Sequence, residues 1–109
     1  MRELTSHKPD DANGCLTIKA VDQPRSGGVN HHYQIVGFHI VTNPSLEDAG
    51  GFVRSSPSEC EIFFQNGPIK EVGVNGITNE ALLAIVEDRL AGFQSGPYAC
   101  AENAIALEL

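Results

Sequence analysis

The sequence predicts an α+β fold, an N-terminal antiparallel β-sheet packed on two C-terminal α-helices. Three observations predict it. Alternating and β-branched runs fall within the first 65 residues, and apolar residues at helical spacing begin only after residue 78. The segments between them are turn-rich and short, so strands and helices segregate along the chain instead of alternating.

Residues 1–14 are charged and carry Pro9, Asn13 and Gly14, which reads as a flexible leader before one α+β domain over 15–109. Leu16 to Ala20 alternates apolar and polar residues, the pattern of a half-buried strand. Gln23 to Gly28 is a loop. His32 to Val41 is rich in β-branched and aromatic residues and predicts a longer strand, with Gly37 marking a bulge. Thr42 to Ser58, with Pro44, Gly50, Gly51 and Pro57, reads as a long surface loop. Glu59 to Gln65 is a further strand with Cys60, Ile62 and Phe64 on one face. Asn66-Gly67-Pro68 is a turn, and Ile69 to Val74 is expected to return as the second strand of a hairpin.

Thr78 is placed to N-cap a helix from Asn79 to about Ala91. Leu82, Ile85, Val86, Leu90 and Phe93 form its apolar stripe, and Gly92 is the expected terminator. Pro97 suits the first turn of a second helix running from Tyr98 to Leu109. The run A-I-A-L-E-L carries no stop signal, so this second helix is expected to be incomplete at Leu109 and the chain truncated there.

The 109 residues suffice for one modest core, which must be aliphatic because Trp is absent. A formal charge of −7 with scattered basic residues argues against DNA binding. Three widely spaced cysteines without a C-x-x-C pair suggest neither zinc nor a disulfide framework; buried thiols in a reducing cytoplasm are expected. No signal peptide or membrane span is apparent. The apolar faces of so small a sheet and an unfinished helix point to a homo-oligomer.

Candidate chemistry is sparse. His31, His32 and His39 invite a metal, but no Cys, Asp or Glu joins them at ligand spacing, and surface or loop histidines are the better reading. Glu59 with Glu61, and Glu87 with Asp88, are paired carboxylates opposite apolar faces, as solvated faces are. No nucleophile triad or phosphate-binding fingerprint appears, so no catalytic residue, metal or cofactor is assigned. Gly73-Val74-Asn75-Gly76 leads toward a helix N-terminus, which is either an anion site or a plain turn. Phe93 either closes the core or presents a ring for a base. Asn103, in a helix otherwise of Ala, Ile and Leu, is either a spectator or a contact to a ligand edge.

The segment from Phe64 to Ala104 resembles a known family. F-Q-N-G-P-I-K-E-V-G-V-N-G, then L-L-A-I-V-E-D-R-L, then F-Q-S-G-P-Y-A-C-A-E-N-A are similar to the phage proteins that inhibit Thoeris defence, the first-described type. The resemblance implies a sponge, not an enzyme. Its ligand would be a cyclic ADP-ribose isomer (glycocyclic ADP-ribose) or another cyclic nucleotide signal, trapped uncleaved in the host bacterial cytoplasm by a dimer or assembly of dimers. It implies that Phe93 stacks on the base, Asn103 hydrogen-bonds ligand, and Asn75 and Gly76 line the pocket. It also implies phosphate-clamping arginines beyond Leu109, and Ala101 departs from the Arg or Lys expected before E-N-A. The rival readings are an interaction module that keeps the fold without binding nucleotide, and a cyclic-nucleotide hydrolase.

Overall fold

The computed structural model describes residues 1–7, 11–49 and 58–96. The chain forms two compact units, Met1–Asn75 and Gly76–Leu109.

The first unit is a four-stranded antiparallel sheet in sequential order: β1 (Arg2–Leu4), β2 (Thr17–Ala20), β3 (His32–Val36) and β4 (Glu59–Phe63). Register sorts the two faces. Leu4 opposes Ile18, Ile18 opposes Ile35, and Ile35 opposes Cys60; Ala20, Tyr33 and Ile62 form the neighbouring row. Ala20 is buried at 1% exposure, and Tyr33 meets Phe64 edge-on at 5.8 Å. The opposite face is polar: Glu3, Lys19, Gln34 and Glu61 lie side by side. This is the inward-apolar, outward-polar alternation that a one-sided sheet demands.

Several elements differ from the sequence expectation. Arg2–Leu4, expected in the leader, is an edge strand, because pairing with β2 satisfies its backbone whatever its propensity. A four-residue helix, α1 (Asp11–Gly14), precedes β2. β3 stops at Val36 because Gly37 takes φ +101, which turns the chain out of the sheet; it is a terminator and not a bulge. His39 then precedes a 3₁₀ turn, Ile40–Thr42, and a second one covers Pro44–Ala49. The rest of the expected surface loop, 50–57, lies outside the described residues. Cys15 and Cys60, expected to be buried, are exposed; Cys60 sits on β4, an edge strand among the described residues.

The expected returning strand at 69–74 is instead one helical turn, α2 (Ile69–Val72). Pro68 starts it with φ −68, and Gly73 ends it with φ +73. Proline before the first turn and a left-handed glycine after the last are the ordinary helix boundaries.

The second unit contains α3 (Asn79–Gln94). Thr78 caps it as expected, Oγ1 accepting from the Ala81 amide at 3.1 Å. Gly92 does not end it. The helix passes through to Gln94, and Ser95 closes it with its amide on the Ala91 carbonyl at 3.1 Å and its hydroxyl on Gly92 O at 3.0 Å. Of the expected stripe, Leu82 and Leu90 are half-buried, while Ile85 and Val86 are 61% and 43% exposed. The second helix expected from Tyr98 lies outside the described residues.

Candidate functional site: a pocket at the end of the sheet

A pocket of about 300 Å³ opens where β2 leaves the sheet, β3 enters and β4 exits. Asp22 and Arg25 line it from the β2–β3 connection, His31 and His32 from the start of β3, and Phe63 and Phe64 from the end of β4. Asn66 and Asn75 complete it. All eight residues belong to the first unit.

Asp22 organises the pocket wall. Its Oδ1 accepts from the amides of His31 and His32 and from Asn30 Nδ2, each at 3.2 Å; Oδ2 accepts from the His31 amide at 3.0 Å. Desolvation pushes this carboxyl up. The two amides and the Asn30 side chain outweigh it and hold the group below its ordinary 3.8, so it is anionic at neutral pH. The ladder also continues past the formal strand ends: Val21 donates to His32 O at 3.0 Å and Phe64 to His31 O at 2.7 Å. His31 is thereby fixed as a buried side chain, 8% exposed, and its Nδ1 is buried without a hydrogen-bond partner. The surface-histidine expectation fails for this residue.

His32 points to the polar face. Its ring stacks on Phe63 at 4.0 Å between centroids, and its Nε2 hydrogen-bonds Glu61. That bond, with help from Gln34, holds the Glu61 carboxyl below its ordinary 4.5. Gln34 Nε2 donates to Glu59 at 2.8 Å and to Glu61 at 3.0 Å, so both carboxylates of the strand pair are engaged. Arg25 is exposed and forms no ion pair with any described residue.

Beside the pocket, a set of amides locks the loop around α2. Gln65 Nε2 donates to Gly67 O at 3.1 Å and Gly73 O at 2.8 Å, and its Oε1 accepts from the Asn75 amide at 3.0 Å. Asn75 returns the bond, its Oδ1 accepting from Asn66 N at 2.9 Å and its Nδ2 donating to Asn66 O at 2.8 Å. Gly67, at φ +100, lies where a Cβ would come within 3.1 Å of Val72 Cγ2. The motif Q-N-G-P-I-K-E-V-G-V-N is therefore a self-bonded loop, held by the side chains of Gln65 and Asn75.

The comparisons bear on this motif. Residues 56–108 match the Acb2/Tad1 hairpin domain. The chain is also 50% identical over 44 residues to Thoeris anti-defense 1 of Bacillus phage SBSphiJ7. Over these residues the chain is similar to the phage Thoeris anti-defence family. The aligned stretch is 40% of this chain and 31% of the relative, so it spans under a third of the relative's own length.

The four expected ligand contacts are not brought together among the described residues. Asn75 lines the pocket, with its side-chain oxygen and nitrogen already bonded to Asn66. Gly76 begins the second unit and is half-buried. Phe93 lies near the end of α3, 38% exposed, with the Arg89 guanidinium 5.5 Å from its ring centroid. Asn103 lies outside the described residues. Sequence reading missed Asp22, Arg25 and Phe63. The G-G-V-N-H-H-Y-Q-I run was the available signal, since Asn30 and the two histidines are where Asp22 bonds. Among the described residues no three His, Cys, Asp or Glu side chains converge as metal ligands, and no helix is long and apolar enough to cross a membrane.

Proposed function

We propose that this protein counters Thoeris defence by binding a cyclic nucleotide signal of the glycocyclic ADP-ribose type and holding it uncleaved in the host cytoplasm. The observation that carries this reading is the hairpin-domain match over 56–108, which contains both the self-bonded loop and the F-Q-S-G-P segment with Phe93. Phe93 supplies a partly exposed ring for the base, Asn103 an amide for its edge, and Asn75 with Gly76 the lining. Trapping is stoichiometric, so affinity and copy number set its effect, and turnover has no part in it.

The protein acts as a homo-oligomer, a dimer or assembly of dimers. Leu83 and Ile85, 63% and 61% exposed on α3, are the apolar surface that supports this.

Calorimetric titration with glycocyclic ADP-ribose tests the reading. Saturable binding is expected, with intact ligand recovered after heat denaturation, and Phe93→Ala is expected to weaken it by about 1–3 kcal/mol of lost stacking. Absence of binding leaves an interaction module as the better description. Recovery of cleaved nucleotide refutes sequestration and favours a hydrolase.

A further inference from the structure

We propose that Asn66 is a self-modification site: the Gly67 amide nitrogen closes on the Asn66 side-chain carbonyl, and the isoaspartate that results opens the loop that Gln65 and Asn75 hold shut. The reaction needs only water as co-reactant and does not rest on the sequestration reading.

The chain contains the Asn-Gly pairs Asn13-Gly14, Asn66-Gly67 and Asn75-Gly76. A glycine leaves the nitrogen after the asparagine unshielded by any side chain, so each pair is chemically able to react. The fold separates them. Asn75 is held at both ends of its side chain, Oδ1 accepting from the Asn66 amide at 2.9 Å and Nδ2 donating to the Asn66 carbonyl at 2.8 Å. Turning its carboxamide onto the next nitrogen breaks both bonds. Asn13 lies inside the helical turn α1, its carbonyl accepting from the Leu16 amide at 3.0 Å. Backbone held at helical ψ does not bring the Gly14 nitrogen onto that side chain.

Asn66 differs from both. Asn75 grips its backbone, yet among the described residues neither its side-chain amide nor the Gly67 amide has a hydrogen-bond partner. Both residues are half-buried, so water reaches them, and Gly67 at φ +100 belongs to neither helix nor strand.

The steps balance without any redox change. The Gly67 nitrogen bonds to Asn66 Cγ, the bond from Cγ to the side-chain nitrogen breaks, and the Gly67 proton leaves with that nitrogen as ammonia. Water then opens the cyclic imide. Addition at Cγ gives aspartate, and addition at the main-chain carbonyl gives isoaspartate. In isoaspartate the main chain runs through Cβ and Cγ, and the former Asn66 carbonyl becomes a carboxylate outside it. That carbonyl is the acceptor for Asn75 Nδ2, and the Gly67 carbonyl displaced with it is the acceptor for Gln65 Nε2 at 3.1 Å. The rearrangement therefore releases both side chains that close the loop.

Incubation of the whole protein at mildly alkaline pH, then trypsin and mass spectrometry, tests the proposal. Cuts after Lys19, Arg54 and Lys70 put the three asparagines on separate peptides. Product is expected at Asn66 several-fold faster than at Asn75 or Asn13, with isoaspartate identified by enzymatic methyl labelling. In urea, where the loop is unfolded, the three sites should react at similar rates. The isoaspartate form should exchange the Asn66 and Asn75 amides faster than fresh protein. Asn66→Ser should give no product on its peptide and keep both amides protected, because Asn75 bonds only the backbone of residue 66. Folded protein that reacts at Asn75 or Asn13 as fast as at Asn66, the same ranking in urea, or unchanged amide protection in the isoaspartate form overturns the assignment.

Discussion

Replacing Gly37 by alanine isolates the contact that ends β3, at the end of the sheet opposite the pocket. Gly37 has φ +101, and an added Cβ would lie 2.0 Å from the Cys15 carbonyl oxygen, 3.0 Å from its carbon and 3.3 Å from Leu16 Cα. All three are backbone atoms, so no side-chain rotation relieves the clash. Positive φ alone costs an L-residue about 1–2 kcal/mol. Forcing the chain segment before β2 aside adds about 1–3 kcal/mol, as overpacking does. The sum, about 2–5 kcal/mol, is a large share of the stability of a small domain. For a unit this size it corresponds to a fall in Tm of roughly 10 °C or more.

The matched control is Gly73→Ala. Gly73 has φ +73, but nothing lies within 4 Å of its would-be Cβ, so only the conformational cost applies. Thermal and urea unfolding followed by circular dichroism should place Gly37→Ala well below Gly73→Ala, and Gly73→Ala modestly below wild type. Equal stability of the two variants would refute the steric account of Gly37.

Two further outcomes follow from the caps and the sheet's polar face. Thr78→Ala removes the side-chain acceptor for the Ala81 amide and should cost about 1 kcal/mol; Ala81 should then exchange its amide proton faster, and Thr78→Ser should restore protection. Glu61, its carboxyl held below 4.5 by the His32 bond and Gln34, stabilises the fold above the ordinary carboxylate range, and that contribution is lost as pH falls through its lowered folded-state value. Carbon-detected titration should give a Glu61 midpoint below 4.5 that moves up in His32→Ala, and an unmoved midpoint would show that His32 does not hold this group.

Much of the sheet was legible because burial on one side imposes period two. Thr17–Ala20, His32–Val36 and Glu59–Phe63 all follow it; the first and last were expected only one or two residues longer, whereas the strand expected to Val41 ends at Val36. The Thr78 cap was legible for the same kind of local reason: an oxygen two or three residues before the first free amides has a single geometric use. β1 was not, because three residues of mixed type have no pattern, and their pairing with β2 is a long-range choice. α2 was not, because its apolar and charged residues suit a strand or a helix equally. Pro68, Gly73 and the amides of Gln65 and Asn75 decide it, the amides only once the loop has closed.

The sequence by itself determined the family resemblance and the α+β class, since a contiguous motif and local periodicity need no tertiary partner. It also marked Phe93, Asn103, Asn75 and Gly76 by their place in that motif. Only the tertiary structure decided what the motif does in the first unit. Its amides bond to one another and hold a loop, so the residues that carry the resemblance there are occupied with structure. Only the tertiary structure, too, brought Asp22, His31 and Phe63 to one pocket, because antiparallel pairing joins strand ends that lie about forty residues apart in the chain.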